Sequence, residues 1–155
     1  MFSYISKRFL MPGSEDLRTI NPDDVPYFTF DGKIIEAIPC NIYDGDTFSI
    51  VFSYRGEIIK YRCRCLGYDT PEIKPRLNAP DREKEIEAAK AAKARFSELL
   101  LKNPDKLIRV QSSGFDKYGR ILVNVWNMVD QDTVNDIMIR EGHARKYSGG
   151  TKEVW

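Results

Sequence analysis

The sequence predicts an α+β fold, a five-stranded β-barrel with helices. Five short segments are rich in Ile, Val, Phe, Tyr and Cys, and two longer segments carry apolar residues at helical spacing. Their order along the chain is βββ-α-ββ-α. At 155 residues, of which 42% are hydrophobic and 30% charged, the chain has the size and composition of one globular domain with its own core.

The first half of the barrel is expected to contain three strands, Ile34 to Cys40, Thr47 to Phe52 and Glu57 to Leu66. A hairpin turn at Tyr54-Arg55-Gly56 joins the second and third. Residues 1–31 are rich in turn formers and lack periodicity, so we expect an irregular extension followed by the domain over residues 32–155. The apolar segment 27–30 is expected to pack against the domain, and a short additional strand is one form that this packing can take.

The long helix that follows is expected to run from Pro80-Asp81 to about Lys102. Acidic residues in its first turn suit the positive end of the helix dipole, and Asn103-Pro104 ends it. The stripe expected to face the sheet consists of Ile86, Ala89, Lys93, Phe96 and Leu100.

Two further strands are predicted at Leu107 to Ser112 and Arg120 to Trp126. A second helix from Thr133 to Glu141 ends at Gly142, a residue typical of helix C-termini. Its inward residues are expected to be Val134, Ile137 and Met138. A helix after the third strand and another after the fifth fit a five-stranded OB-type barrel.

The charge balance argues against a protein that coats nucleic acid by bulk charge. Net charge is +1, from 24 Lys and Arg against 23 Asp and Glu. Between Arg55 and Arg76, however, six basic residues face three acidic ones. Such a tract can form a local positive rim around a site, or it can protect a strand edge from aggregation.

Cysteine usage and hydropathy indicate an intracellular protein. Cys63 and Cys65 lie two apart on one predicted strand and are poorly placed to bridge, so we expect reduced thiols there and at Cys40. One histidine, His143, leaves too few ligands for a zinc site. No apolar run resembles a signal peptide or a membrane span, so no membrane partner is expected.

Two acidic stretches stand beside predicted strands: Tyr-Asp-Gly-Asp-Thr at 43–47 and Tyr-Asp-Thr-Pro-Glu at 68–72. Either alone also reads as an ordinary turn. Together with an outward carbonyl of Thr70, they supply an incomplete shell of oxygen ligands. Such a shell suits Ca²⁺, with Mg²⁺ or Mn²⁺ as less favoured alternatives. Glu72 is then placed to orient or deprotonate a water molecule.

Two arginines complete the parts of a phosphodiester-cleaving site. Arg64 lies on the strand that leads into the second acidic stretch, and Arg120 closes a Lys-Tyr-Gly-Arg turn. Guanidinium groups match the non-bridging oxygens of a phosphate bidentately. The alternative is that both arginines pair with structural carboxylates, and the two functions can coexist.

Four motifs in this order resemble the staphylococcal nuclease (thermonuclease) family: DGDT, R-x4-DTPE, DKYGR and a later Val-Asn…Gly-x-Ala…Tyr string. The resemblance runs from about Lys33 to Tyr147. The Tyr-Phe-x-Phe-x-Gly-Lys lead-in and the Gly-Gly-x-Lys ending are most similar to members from large DNA viruses.

This resemblance implies an OB-fold and calcium-dependent hydrolysis of DNA and RNA at the P–O5′ bond, leaving 3′-phosphate ends. The strands cut would be single or locally open, and the enzyme a monomer. The roles implied are metal binding by Asp46, Asp69 and the Thr70 carbonyl, catalysis by Arg64, Glu72 and Arg120, and substrate binding by Lys117, Tyr118 and Tyr147.

The chain also departs from the family pattern. The prototype has two tyrosines after the second helix and a third C-terminal helix, whereas here Tyr147 stands in that region without a second tyrosine and Ser-Gly-Gly follows it. The alternative function is a non-catalytic OB-fold module that binds single-stranded nucleic acid or protein. Survival of the five side chains of the metal and arginine set favours the enzyme.

Overall fold

The computed structural model of the protein describes residues 16–151 and 155, which form a closed five-stranded barrel with two helices. The predicted α+β barrel of OB type is confirmed. The barrel strands are β1 (Ile34–Cys40), β2 (Thr47–Tyr54), β3 (Glu57–Cys65), β5 (Ile108–Phe115) and β6 (Ile121–Trp126). The other elements are β4 (Tyr68–Asp69), α1 (Arg82–Leu100), α2 (Val134–Arg140) and β7 (Arg145–Lys146).

The barrel closes through one short parallel ladder. The strand order is β1-β2-β3-β6-β5, and β5 returns to pair with β1. Every barrel pair is antiparallel except β3 with β6, which pair from Cys63↔Ile121 to Cys65↔Val123. The earlier part of β3 therefore pairs with β2 alone.

Helix α1 packs against the barrel with a row of residues that only partly matches the predicted one. Ala89, Phe96 and Leu100 are buried as predicted. Ala92 and Leu99 are buried, whereas Ile86 and Lys93 are only half-buried. The reason lies in the turn before β2: a Cβ placed on Gly45 would lie 3.1 Å from the Ala92 Cβ. Because the turn approaches this closely, a small residue must face it. The buried row is Ala89, Ala92, Phe96, Leu99 and Leu100.

Helix α2 is fixed by a cap and by one buried amide. The Thr133 hydroxyl accepts from the Asp136 amide at 3.0 Å. The Asn135 side chain accepts from the Val125 amide at 3.0 Å and donates to the carbonyls of Leu66 and Val123 at 3.0 and 3.1 Å. This amide holds α2 on β6 and on the segment after β3. The predicted burial of Val134, Ile137 and Met138 is confirmed.

Two strand features were not predicted. The fourth barrel strand continues beyond Ser112 to Phe115 through an irregularity at Gly114, which adopts a φ of 83°. The predicted end at Ser112 was too early because this irregularity interrupts the strand without ending it. Strands β4 and β7 have two residues each and exist through their mutual pairing.

The end of the N-terminal extension packs by its aromatic rings. Phe30 is 4% exposed, and its ring centroid lies 5.8 Å from Phe52, 5.4 Å from Tyr54 and 5.8 Å from Phe115. The predicted packing of segment 27–30 is confirmed, but the additional strand is wrong, because these residues join no ladder. Two 3-10 helices precede them, and residues 1–15 of the predicted extension lie outside the described residues.

The cysteines are free thiols, as expected: Cys63 and Cys65 are buried and Cys40 is half-buried. Among the described residues, no helix is long and apolar enough to cross a membrane.

Candidate active site

One cleft collects every site residue that the sequence predicted. It has a volume of about 1300 Å³ and lies where β2 begins and β3 ends, beside the turn between β5 and β6. Its lining includes Asp46, Arg64, Asp69, Thr70, Glu72, Lys117, Tyr118, Arg120 and Tyr147. The structure brings these nine together; their individual roles remain predictions.

The turn before β2 is built by Asp44 and Gly45. The Asp44 carboxylate accepts from the amides of Asp46 and Thr47 at 3.0 and 2.7 Å, so this side chain shapes the turn. A Cβ on Gly45 would lie 2.8 Å from Thr70 Cγ2, and the Gly45 carbonyl accepts from the Tyr68 hydroxyl at 2.8 Å. Glycine is therefore required for the first acidic stretch to sit directly on the second.

Arg64 joins the two acidic stretches through a single nitrogen. Its Nη2 donates to Asp46 Oδ2 at 3.0 Å and to Asp69 Oδ1 at 2.8 Å. Both aspartates are 5% exposed, and Thr70 beside them is 4% exposed. Two carboxylates from different strand ends thus converge at one point on the cleft wall.

The electrostatics of this point are unfavourable to the ionised form of Asp46. Burial, followed by the nearby Asp44 charge, raises the pKa of Asp46 to about 6, although Arg64 acts in the opposite direction. Burial alone would lower the pKa of Arg64, but Asp46 and Asp69 together raise it above its ordinary value. The site therefore holds more negative charge than one guanidinium offsets, and an added cation would relieve it.

Arg120 is held by a carboxylate that the sequence analysis did not single out. Its Nε donates to Asp116 Oδ2 at 2.7 Å, and its Nη1 donates to Thr47 Oγ1 at 3.3 Å. Burial of Asp116 acts to raise its pKa, but hydrogen bonds from Arg120 and Tyr118 lower it overall. The signal for Asp116 was the Asp-Lys-Tyr-Gly-Arg spacing, which allows the two ends of a tight turn to pair.

Aromatic rings flank both arginines. The Arg64 guanidinium lies 5.7 Å from the ring centroid of Tyr147, and the Arg120 guanidinium lies 5.5 Å from that of Tyr118. Lys117 also faces the Tyr118 ring, at 5.1 Å. These distances are within the range of cation–π contacts and keep the cationic groups at the cleft.

Glu72 is an exposed residue of the cleft wall. Its backbone amide donates to Glu85 Oε1 at 3.2 Å, which ties the loop after β4 to the first turn of α1. Glu85 was expected to serve the helix dipole, and this contact to a loop distant in sequence was not predicted.

The oxygen ligands at this site suit a hard cation that takes only a few of its ligands from the protein. Within the described part of the chain, no three His, Cys, Asp or Glu side chains form a cluster that could hold a metal. Asp46 and Asp69 offer two carboxylates, and Thr70 lines the cleft together with them. Oxygen ligands of this kind suit Ca²⁺ or Mg²⁺, with water and substrate oxygens completing the shell.

Comparison with known proteins identifies a family for the chain. A family model described as staphylococcal nuclease homologue matches residues 62–153, more than half of the chain, and includes eight of the nine predicted site residues. Asp46 precedes the matched region and reaches the site through Arg64. No curated protein matches the chain. The chain belongs to the staphylococcal nuclease homologue family and carries a nuclease-type domain.

Proposed function

We propose that the protein is a calcium-dependent phosphodiesterase that hydrolyses DNA and RNA at the P–O5′ bond and leaves 3′-phosphate ends. The observation that carries this proposal is the convergence of Asp46 and Asp69 on one nitrogen of Arg64, inside a cleft that also contains Arg120. An acidic cluster alone repels a phosphate and a basic cluster alone only holds it, whereas this combination can do chemistry on it.

Asp46, Asp69 and the Thr70 carbonyl would hold the cation. Burial disfavours the ionised form of Asp46 even with Arg64 beside it, as the raised pKa of Asp46 indicates, and a bound cation would offset that cost. Bound there, Ca²⁺ would neutralise phosphate charge and orient a water molecule.

Arg64 and Arg120 would bind the non-bridging oxygens of the scissile phosphate. Arg120 lines the cleft, and its guanidinium is fixed by Asp116 at Nε and by Thr47 at Nη1. Negative charge grows on those oxygens in the transition state, so prepositioned donors stabilise it more than the ground state. Glu72, exposed at the cleft wall, would accept a proton from the attacking water.

The remaining roles concern the rest of the substrate. Lys117 and Tyr118 would contact a terminal phosphate, and Tyr147 would lie against a base or sugar, which favours single or locally open strands. We further propose that residues 32–155 form the catalytic unit, that it acts as a monomer and that it works inside the cell, where its three free thiols are stable.

Digestion of plasmid DNA and of RNA with Ca²⁺, and again with a calcium chelator, tests the proposal. We expect cleavage that the chelator abolishes and products with 3′-phosphate ends. Glu72→Ser and Arg64→Ala should each lower the rate by roughly 100-fold or more. Glu57→Ser, an exposed glutamate outside the cleft, is the matched control for Glu72.

Absence of cleavage with any divalent cation, together with retained oligonucleotide binding, would refute the enzyme and favour the binding module. Near-wild-type rates in either cleft variant would refute the assigned mechanism while leaving the nuclease activity in place.

A further inference from the structure

The outer face of β3 carries a row of cations that leads into the cleft. Along this strand, side chains alternate between the barrel interior and the solvent. Cys63 and Cys65 are buried inside, whereas Lys60 and Arg62 are exposed and share the outer face with Arg64. Arg62 lines the cleft together with Arg64, so the row is continuous with the candidate active site.

The charges of Lys60 and Arg62 are uncompensated. In the part of the chain that the structure describes, neither residue forms an ion pair. Six other described arginines do pair, whereas Arg62 combines an unpaired charge with a place in the cleft wall. Those that bond a carboxylate are Arg18, Arg64, Arg95, Arg109, Arg120 and Arg140.

The neighbouring strand adds no negative charge. On β2, the residue opposite Arg64 is Thr47. Ser49 lies opposite Arg62, and Val51 lies opposite Lys60. These partners are hydroxyl or apolar residues, so β2 places no negative charge opposite Lys60 and Arg62. Arg64 is paired with Asp46 and Asp69, so the unpaired positive charge of this face lies at Lys60 and Arg62. Unpaired cations beside the proposed phosphate-binding cleft have the charge pattern of a nucleic-acid backbone track.

We propose that Arg62 and Lys60 form a track for the backbone of a single nucleic-acid strand that extends from the cleft. This inference rests on the proposed function and deepens it by naming the surface that binds the strand beyond the cleft. Residues two apart on a strand repeat every ~7 Å, a spacing that suits successive phosphates of an extended strand. A single row of cations on a narrow face matches one backbone rather than the two of a duplex.

Edge protection is the competing explanation for these residues. Before Cys63, β3 pairs with β2 alone, and Lys or Arg on an unpaired edge discourages association of strands between molecules. Edge protection predicts no dependence on substrate length, whereas a track does. Length dependence therefore separates the two explanations.

The test compares a Lys60→Gln/Arg62→Gln variant with a Lys90→Gln/Lys106→Gln control of the same charge change, whose lysines are exposed outside the cleft. Both carry Glu72→Ser to suppress cleavage. Fluorescence anisotropy with Ca²⁺ measures the affinity for a labelled 12-nucleotide oligo-dT and for a labelled trinucleotide. We expect the track variant to bind the 12-mer roughly 10-fold more weakly, with the trinucleotide unchanged. The slope of the logarithm of its binding constant against the logarithm of the salt concentration should be about 1.4 less steep, because two phosphate contacts contribute roughly 0.7 each.

Equal behaviour of the track variant and the control with the 12-mer would overturn the proposal, as would an equal loss for both lengths. A Glu72→Ser protein with Lys60 and Arg62 intact that binds the 12-mer no more tightly than the trinucleotide would also overturn it. If wild-type protein binds oligonucleotides but does not cut them, the catalytic proposal fails, and the length dependence of binding still decides whether the track exists. If it cuts and the track variant matches the control, the track fails and the nuclease stands.

Discussion

The two ends of the β2–β3 hairpin are stabilised in opposite ways. Near its turn, Tyr54 and Tyr61 pack with Phe30 in a cluster of rings at 5.4 and 6.2 Å. At its open end, Asp46 and Arg64 form a buried ion pair at 3.0 Å. Aromatic burial contributes favourably to folding, whereas buried charges roughly break even or cost free energy. We infer that the barrel is stabilised at one end and kept electrostatically strained at the other, where chemistry is proposed.

The boundary between these regions is sharp. Phe115 belongs to the aromatic cluster, with its ring 5.8 Å from that of Phe30. The next residue, Asp116, bonds Arg120 in the cleft. One peptide unit therefore separates a group that stabilises the fold from a group that positions the site.

The largest expected effect is at the aromatic end. Phe30→Ala should lower the free energy of unfolding by about 3–5 kcal/mol, because it removes a ring buried among aromatic neighbours. Urea denaturation measures the loss, and activity per folded molecule should be unchanged. Tyr27→Ala, at a fully exposed position, is the control and should be close to neutral. A Phe30 variant of wild-type stability would show that the extension contributes nothing to the core.

At the cleft end, a substitution is expected to raise the free energy of unfolding rather than to lower it. The pKa of Asp46 in the folded, metal-free protein is about 6, above its ordinary 3.8. Stability is therefore lost as pH rises from about 3.8 to 6, and above pH 6 the ionised carboxylate costs up to roughly 3 kcal/mol. In chelator at pH 8, Asp46→Asn should be more stable than wild type, and the gain should vanish near pH 3.5.

Urea denaturation at the two pH values checks this, with the exposed Asp105→Asn as a control that should show no gain. Added Ca²⁺ should stabilise wild type and not the variant. A destabilised Asp46→Asn variant at pH 8 would mean that its bonds to Arg64 and Thr47 outweigh the burial cost.

A smaller loss of stability is expected where the turn before β2 packs against Thr70 and helix α1. Gly45→Ala should cost about 1–3 kcal/mol, because its Cβ would lie 2.8 Å from Thr70 Cγ2 and 3.1 Å from the Ala92 Cβ. Adding Thr70→Ser removes the nearer methyl group and should restore part of the loss. Denaturation of the two single variants and the double variant gives the coupling between them. Strict additivity would show that the two acidic stretches do not press on each other.

Sequence reasoning anticipated the site better than it anticipated the packing around it. Asp46, Arg64 and Asp69 follow from motifs at strand ends, and their meeting follows from the neighbouring places of those strands in the barrel. By contrast, Asp116 as the partner of Arg120 and the contact of Glu85 with the loop after β4 depend on side-chain geometry. Periodicity does not report such geometry.

The buried row of α1 shows the same limit. Helical spacing allowed either Ile86 and Lys93 or Ala92 and Leu99 to face the barrel. The choice depended on the close approach of Gly45, a residue far away in sequence. The ring packing of Phe30 was likewise expected only as an undefined contact, and its form is set by the Phe52, Tyr54 and Phe115 rings.

The pairing of β4 with β7 has a consequence for the order of folding. The backbone of Asp69 is held by Arg145, and the Leu66 carbonyl before it is held by Asn135. Both partners lie late in the chain, so their closure carries the entropy of a long loop. A ribosome that has released the chain only as far as Arg120 has already delivered both aspartates, both arginines and Glu72, yet not the partners that fix the second acidic stretch. We therefore expect the second acidic stretch to be fixed late in folding, once the segments that carry Asn135 and Arg145 have docked.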